Sequence, residues 1–483
     1  MLPSPFSAGQ IESLFGHEAA EDEAPSRLRA YYFKTDVYDQ VTADVPLRIV
    51  VGHKGVGKSA LFKIAISEGL EGENLPILIR PDDVAALGAD AADFLKAIRE
   101  WKEGLLAIIA KRVLTTLGSD ESAATRFIGF GGKLIDFLQD TFRNRLDVNL
   151  KPTNAVVRDT FLKSRRLDIY IDDLDRGWEG RPQDVRRISA LLNAIRDIAN
   201  DNPGISFKIS LRSDVYFLVR TSDESTDKIE GSVIWHKWTN HQILVLLVKR
   251  IETFFGRTVD EHSLMQLRQR ELASYLSAVM EPRFTGEGLW ANAPVHRVLM
   301  SLIRQRPRDL VKLLTLAARN AREAQSPLIS TANFRNIFEE YSQGRVQDTI
   351  NESRSELPDV QRLLLNMKPN RSERTAKAGY VYNTANLLKK IAGIMESGPF
   401  TFSRGERATS KQLAAFMYKI NFLTARKETS AGIVRKYFEE SRYLASDFVD
   451  FGFDWEIHPA YRWALQPDRP EDIYHRIQLS TDD

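Results

Sequence analysis

The stretch that most constrains the fold is Leu47–Ser59, which reads LRIVVGHKGVGKS. Leu47 to Val51 is a short apolar, β-branched run, long enough for a buried strand. The next eight residues, Gly52-His53-Lys54-Gly55-Val56-Gly57-Lys58-Ser59, fit G-x-x-x-x-G-K-S/T. Ala60 to Ile66 then has the spacing of an amphipathic helix. Strand, glycine-rich loop and helix start are the context in which this motif cradles phosphate. Glycines let backbone N–H groups turn inward, and the helix N-terminus adds positive potential. Gly52 through Ala60 are therefore the candidate nucleotide contacts. Lys58 reaches for the β/γ-phosphates and the Ser59 hydroxyl is a ligand for Mg²⁺.

A chain of 483 residues has room for several domains. Its 67 basic and 65 acidic residues leave a net charge of only +2, so bulk charge does not argue for nucleic acid. There are no cysteines, which excludes disulfides, thiolate metal sites and Cys nucleophiles. The best apolar run, Ile243–Val248, is a fraction of a membrane span. The N-terminus lacks a basic-then-apolar leader pattern. These features predict a cytoplasmic protein with no membrane partner.

Residues 1–45 read as a lead-in, loose at first and ending in an aromatic cluster, Tyr31-Tyr32-Phe33 and Tyr38. Core packing is the favoured reading of that cluster, ahead of a place beside a nucleotide base. After the P-loop helix, Leu75–Arg80 looks like a second buried strand. A mostly helical pattern follows, broken by Gly129-Phe130-Gly131-Gly132, which reads as a helix breaker. The second decisive stretch is Leu167–Trp178, LDIYIDDLDRGW. A buried strand here delivers carboxylates at its C-terminal edge, where the P-loop also opens. Asp172 is placed to hold Mg²⁺, and Asp173 to orient or deprotonate the attacking water, with Asp175 a close rival. Ile205–Leu211 is another strand, ending in Arg212, the candidate γ-phosphate sensor, with Ser213 second. Arg220 ends the next helix and is the candidate arginine finger. Ser232–Trp238 completes about five strands alternating with helices, which predicts a parallel sheet between helical layers. From Gln242 the pattern is helical, and Arg308 near the start of the helix at Val311–Ala324 is the candidate lid arginine, ahead of Arg306.

The P-loop GHKGVGKS, the YIDDLDRGW block, the SLRSD strand end and the RPRDL segment resemble KAP-like and STAND-like P-loop ATPases of bacterial signalling and defence. These are relatives of the AAA+ and origin-recognition ATPases, and the likeness covers roughly Tyr31 to Tyr341. The resemblance implies an ATP-driven switch or assembly that self-associates, works with an effector or sensor protein, and often carries a C-terminal winged helix. One departure stands out. AAA+ proteins usually have Glu after the Walker B Asp, and here it is Asp173. A shorter side chain suits slow, switch-like turnover.

The C-terminal stretch 351–483 shows three helical patterns and then short strand-like pieces, the order of a winged helix. Gln361 to Lys427 holds 13 Lys/Arg against three acids, a local charge of +10. With Tyr380, Tyr382 and Tyr418 nearby, this composition suits duplex DNA, the alternative being a protein-docking face. Lys411 and Lys419 on the helix Thr409–Phe422, and Arg426 and Lys427 on the following wing, are the candidate DNA contacts. The expected architecture is thus α/β: a three-layer P-loop NTPase core over 46–241, a helical lid over 242–350 and a winged-helix-like α+β domain. The expected function is an ATP-binding and ATP-hydrolysing switch. The competing expectation is a DNA-binding adaptor that binds ATP structurally with little turnover.

Overall fold

The computed structural model describes residues 5–18, 22–88, 93–116, 134–136, 138, 161, 164, 166–222, 224–286, 288–371, 373, 379–430, 432–446, 448–466, 471–475 and 477–480. The Gly129–Gly132 helix breaker lies outside them. The chain forms two compact units. One comprises Ala24–Arg29 and Lys34–His236; the other comprises Met1–Glu23, Ala30–Phe33 and Lys237–Asp483.

The first unit is built on five strands: β1 (Leu47–Gly52), β2 (Leu75–Ile79), β3 (Leu167–Ile171), β4 (Ile205–Arg212) and β5 (Val233–Trp235). They lie in the order β2-β3-β4-β1-β5, and every pairing is parallel. The β1 and β3 runs are too apolar to sit half in water, which is how strands covered on both faces read. Side-chain alternation divides the sheet. Ile49, Val51, Ile169, Ile171, Phe207 and Ile209 face the long helices Phe94–Thr116 and Pro182–Asp201 in one core. On the opposite face Tyr170 meets Phe62 of the helix Lys58–Gly69 edge-on at 5.2 Å. That face also buries a charge. Lys208 Nζ donates to Asp168 Oδ1 at 2.6 Å, and Asn74 donates to Asp168 Oδ2 at 3.0 Å. The three-layer parallel core therefore stands as the sequence implies.

In the second unit the N-terminal stretch is not a loose lead-in. Ser7 caps the helix Ala8–Phe15, with Gln10 completing the capping box. Its buried Ile11, Leu14 and Phe15 pack it against the helices Asn240–Phe254 and Pro307–Glu323. A short hairpin, β6 (Arg283–Thr285) with β7 (Ala291–Pro294), follows. Beyond the helix Thr331–Ser353 come the helix Val360–Asn366, β8 (Val381–Tyr382), the helices Thr384–Met395 and Ser410–Lys419, and then β9 (Leu423–Thr429), β10 (Gly432–Lys436) and β11 (Asp454–Ile457). These strands form an antiparallel sheet in the order β10-β9-β11-β8. Among the described residues no helix is long and apolar enough to cross a membrane.

Candidate nucleotide site

The parallel register brings three strand ends to one edge of the first unit. Gly52, the last residue of β1, lies opposite Arg212, the last of β4, and β3 runs alongside β4 to end at Ile171. Helix N-termini and loops at that carboxyl edge are where an open α/β sheet takes ligands. Local backbone demands explain the loop glycines. Gly55 and Gly57 take positive φ, 84° and 103°, which a side chain would strain. At Gly52 the constraint is steric, since a Cβ there would lie 2.8 Å from the His236 carbonyl oxygen. The helix Lys58–Gly69 starts directly behind this turn, with Ser59 and Ala60 in its first turn. Val56 is buried and pins the loop, while Lys54 is exposed.

Lys58 folds back over the loop. Its ammonium donates to the carbonyls of Gly52 at 2.8 Å and His53 at 3.2 Å. Desolvation lowers its pKa below the ordinary lysine value, opposed by Asp175 first and Asp172 second. Asp172 is oriented rather than free to swing: Oδ1 accepts from the Ser210 hydroxyl of β4 and from the Asp173 backbone N–H at 3.0 Å.

Asp173 and Asp175 differ in placement. Asp173 takes a left-handed φ of 59°, and its side chain is 56% exposed beside Arg176. Asp175 is only 9% exposed and sits 3.3 Å from Arg212 Nε. Burial raises the Asp175 pKa above the ordinary carboxylate value, against the pull of Arg212 and Lys58. Arg212 also forms a two-pronged pair with Asp214, at 3.0 and 2.7 Å. It is thus part of a compact Lys58–Asp175–Arg212–Asp214 charge network and not a strand-end arginine in solvent. Ser213 ties the strand end to the loop, its hydroxyl 3.0 Å from His53 Nδ1.

Two contributors were missed in the sequence. Ser210 orients Asp172, and alternation along β4 could have found it, since it shares a face with Ser206 and Lys208. His236, just beyond β5, is buried beside the loop, and burial plus Lys58 push its pKa down to about 3, so it is neutral near pH 7. Nothing in its local sequence marks it.

The other candidates have partners of their own or face solvent. Arg220 is held within its own chain by Asp227 at 2.5 Å and Glu230 at 3.2 Å. Arg308 belongs to the second unit, where its Nε donates to the Glu18 carbonyl at 3.1 Å. Arg306 is buried there and paired with Glu352 at 3.0 Å. Of the four candidate DNA contacts, Lys411 and Lys427 are exposed, with Lys427 5.7 Å from the Phe453 ring centroid. Lys419 instead donates to both oxygens of Glu356, at 2.9 and 2.8 Å. Arg426 is buried and bonded to Gln478. Tyr380, Tyr382 and Tyr418 are buried too, so none of the three offers a ring to phosphate or base. Core packing also claims Tyr31, Tyr32, Phe33 and Tyr38.

The donor set suits Mg²⁺. One carboxylate and one hydroxyl at a phosphate-binding loop are what this ion takes when phosphates and water complete its shell. Among the described residues no group of three or more His, Asp or Glu could hold a metal by itself.

No family model matches the chain. It is 23% identical to the transposon gamma-delta 80.3 kDa protein of Escherichia coli, over 96% of this chain and 70% of that one. Among solved structures it is similar to the Aeropyrum pernix ORC2 protein in its ADPNP-ADP complexes, at 11% identity and a TM-score of 0.40, covering 98% of this chain and 94% of that one. It is also similar to the Aeropyrum pernix ORC1 protein in complex with DNA, at 13% identity and a TM-score of 0.35, covering 95% and 96%.

Proposed function

We propose that the chain is an ATP-binding and ATP-hydrolysing switch of the AAA+/STAND type, acting in bacterial signalling or defence through ATP-dependent assembly. The observation that carries this reading is the convergence of Lys58, Asp172, Asp175 and Arg212 at the carboxyl edge of a parallel sheet, beside a loop whose glycines permit backbone N–H groups to face a phosphate. In this reading the residues Gly52 to Ala60 wrap the phosphates, and Lys58 leaves the loop carbonyls for the β/γ-phosphates. Ser59 and Asp172 hold Mg²⁺, which supplies charge neutralisation at the transferring phosphoryl group. Arg212 reads the γ-phosphate and holds Asp175 in place. Asp175 orients the attacking water; its burial near Lys58 favours it over Asp173, the residue the motif spacing alone prefers. Arg220 acts on a neighbouring subunit's nucleotide once it leaves Asp227 and Glu230. Arg308 is the lid arginine. The helices and strands over 360–457 form a winged-helix-like domain that meets duplex DNA through Lys411 and Lys427, with a sensor or effector protein as the further partner.

Calorimetric titration of the full chain with ATP and Mg²⁺ tests the core of this. Saturable one-site binding is expected, and Lys58→Ala should weaken it by at least a hundredfold. Heat of binding that is absent in the natural chain, or unchanged by Lys58→Ala, refutes the nucleotide reading.

A further inference from the structure

Sequence patterning places a boundary near residue 350, between a helical region and the segment that forms the antiparallel sheet. In the structure the segment 477–480 bridges that boundary. It lies outside every helix and named strand, and its polar groups are bonded on two sides. On one side Trp290 Nε1 donates to the Ile477 carbonyl, Arg297 Nε donates to the Ser480 carbonyl, and the Ser480 N–H donates to the Ser301 hydroxyl, each at 2.9 Å. These partners belong to the β6–β7 hairpin loop and to the helix Val295–Leu302. On the other side Arg435 donates to the Gln478 carbonyl at 2.7 Å and to the Ser480 hydroxyl at 2.8 Å. Arg426 donates to the Gln478 side chain, and Ser480 pairs with Ile433 in a parallel bridge. These partners belong to β9 and β10. Both sides lie in the second unit.

Two features set this apart from the packing of a passing segment. The first is burial. Trp290, Arg435 and Ile477 are all buried. If the two sides separated, the Trp290 indole N–H and part of the Arg435 fork would lose acceptors away from water, which costs more than an ordinary hydrogen bond returns. The Arg435 bonds are charge-assisted, which strengthens them further. The second feature is redundancy. The Tyr437 hydroxyl donates to the Ile303 carbonyl at 3.4 Å, and Arg304 Nη1 donates to the Tyr461 hydroxyl at 3.0 Å. The same two sides are therefore tied again beside the segment.

We propose that 477–480 is a clasp that makes the β9–β10 hairpin and the helices Val295–Leu302 and Pro307–Glu323 one rigid piece, so that Lys427 and Arg308 move together. Packed elements joined in this way shift as a body instead of deforming between their ends. A displacement of the 242–350 helices by nucleotide then becomes a displacement of the hairpin, with no hinge near residue 350 to absorb it. That transmission rests on the nucleotide and DNA readings above; the clasp does not.

The sequence has no cysteine, so introduced cysteines carry spin labels without background. Double electron–electron resonance on the full chain, with labels at Lys427→Cys and Arg319→Cys, reads across the clasp between two exposed positions. One narrow distance is expected, the same with and without ATP and Mg²⁺. Arg297→Gln with Ser301→Ala removes the helix side of the clasp, and Ser480→Pro removes the N–H and the hydroxyl at its centre. Each should broaden the distance or add a second one while far-ultraviolet circular dichroism is unchanged. A broad or two-peaked distance with the clasp intact, a shift of that distance on adding ATP, or a narrow distance that survives both variants overturns the clasp. A label at the exposed Glu73→Cys, in the first unit, should show its distances to Lys427 and Arg319 changing together on adding ATP. No change in either counts against nucleotide-driven motion alone, because the Lys427–Arg319 distance still reports the clasp. In mobility shifts with the unlabelled chain, ATP should alter duplex affinity by on the order of fivefold, and the clasp variants should lose that dependence. Duplex binding indifferent to ATP in the natural chain, or equally dependent on it in the variants, overturns the transmission.

Discussion

The two units differ in where their densest charge lies. In the first, Lys58, Asp172, Asp175 and Arg212 are gathered at one edge of the sheet, only partly neutralised by one another. In the second, the densest charge is spent inside. Asp309 is clamped between Arg304, at 2.7 and 2.9 Å, and Arg345, at 2.6 Å, with Thr349 and Tyr461 completing the Arg304 donors. Glu456 is clamped between Arg435, at 2.7 and 3.1 Å, and Arg462. Desolvation would raise both carboxyl pKa values, yet the flanking guanidiniums overcome it. Asp309 is held well below the ordinary range and Glu456 at about 2. One arrangement leaves charge poised for a ligand; the other uses it as internal structure. The same residue types serve both, so a count of charges does not say which.

The sharpest test of the first arrangement is Asp175→Asn against Asp173→Asn. Loss of a water-orienting carboxylate costs on the order of 10²–10⁴ in rate. Asp175→Asn should fall in that range with ATP affinity kept, and Asp173→Asn should lose less than tenfold, both measured by steady-state phosphate release. The reverse ranking would return the role to Asp173 and break the contrast between a buried and an exposed acid.

For the second unit, Asp309→Ala strands two buried guanidiniums. Removing one partner of a buried ion cluster costs about 3–5 kcal/mol. Denaturant melts followed by far-ultraviolet circular dichroism should show it. A loss below about 1 kcal/mol would mean the cluster is not internal structure.

Acid gives a third, smaller effect. Glu456 has a depressed folded pKa, so its contribution is complete above the unfolded value near 4.5 and disappears as pH falls toward 2. The sign is loss of stability on acidification, of roughly 3 kcal/mol over that window. Glu456→Gln should already be destabilised near pH 7 and show a flatter decline below pH 4.5.

The smallest effect separates exposed from spent cations. Lys411→Glu with Lys427→Glu should weaken DNA binding at every sequence alike and lower the salt slope by up to about 2. Lys419→Gln with Arg426→Gln should chiefly lower the melting temperature, because those groups hold Glu356 and Gln478. Equal slopes for both pairs, read by mobility shift across a salt series, would erase the distinction.

Much of the first unit was legible because its signals are local. A β-branched run, two glycines needing positive φ and a Lys-Ser step specify a strand, a tight glycine-rich loop and a helix start within thirteen residues, Leu47–Ser59. All five strands announced themselves as short apolar segments beside turns. Strand order was not legible, since each apolar strand suits either neighbour, and only packing put β4 between β3 and β1. The N-terminal helix was missed because Pro, Gly and acidic residues around it masked the buried Ile11, Leu14 and Phe15. Over the basic stretch, charge counting does not show pairing. Its +10 already nets Lys390 against Glu373, 2.6 Å away, but still counts Lys419, whose partner Glu356 lies just outside it.

By itself, then, the sequence determined that a glycine-rich loop stands on a buried strand, and that acids end another strand of the same kind. Those properties depend on neighbours within one turn or one strand, where spacing alone sets geometry. Only the tertiary structure decided that Asp175 is buried beside Arg212 while Asp173 faces water, and that Lys411 and Lys427 stay exposed while Lys419 and Arg426 do not. The reason is physical. Desolvation and ion pairing depend on what the fold brings within about 4 Å, and in this chain those partners come from 37 positions away for Asp175 with Arg212 and 63 for Lys419 with Glu356.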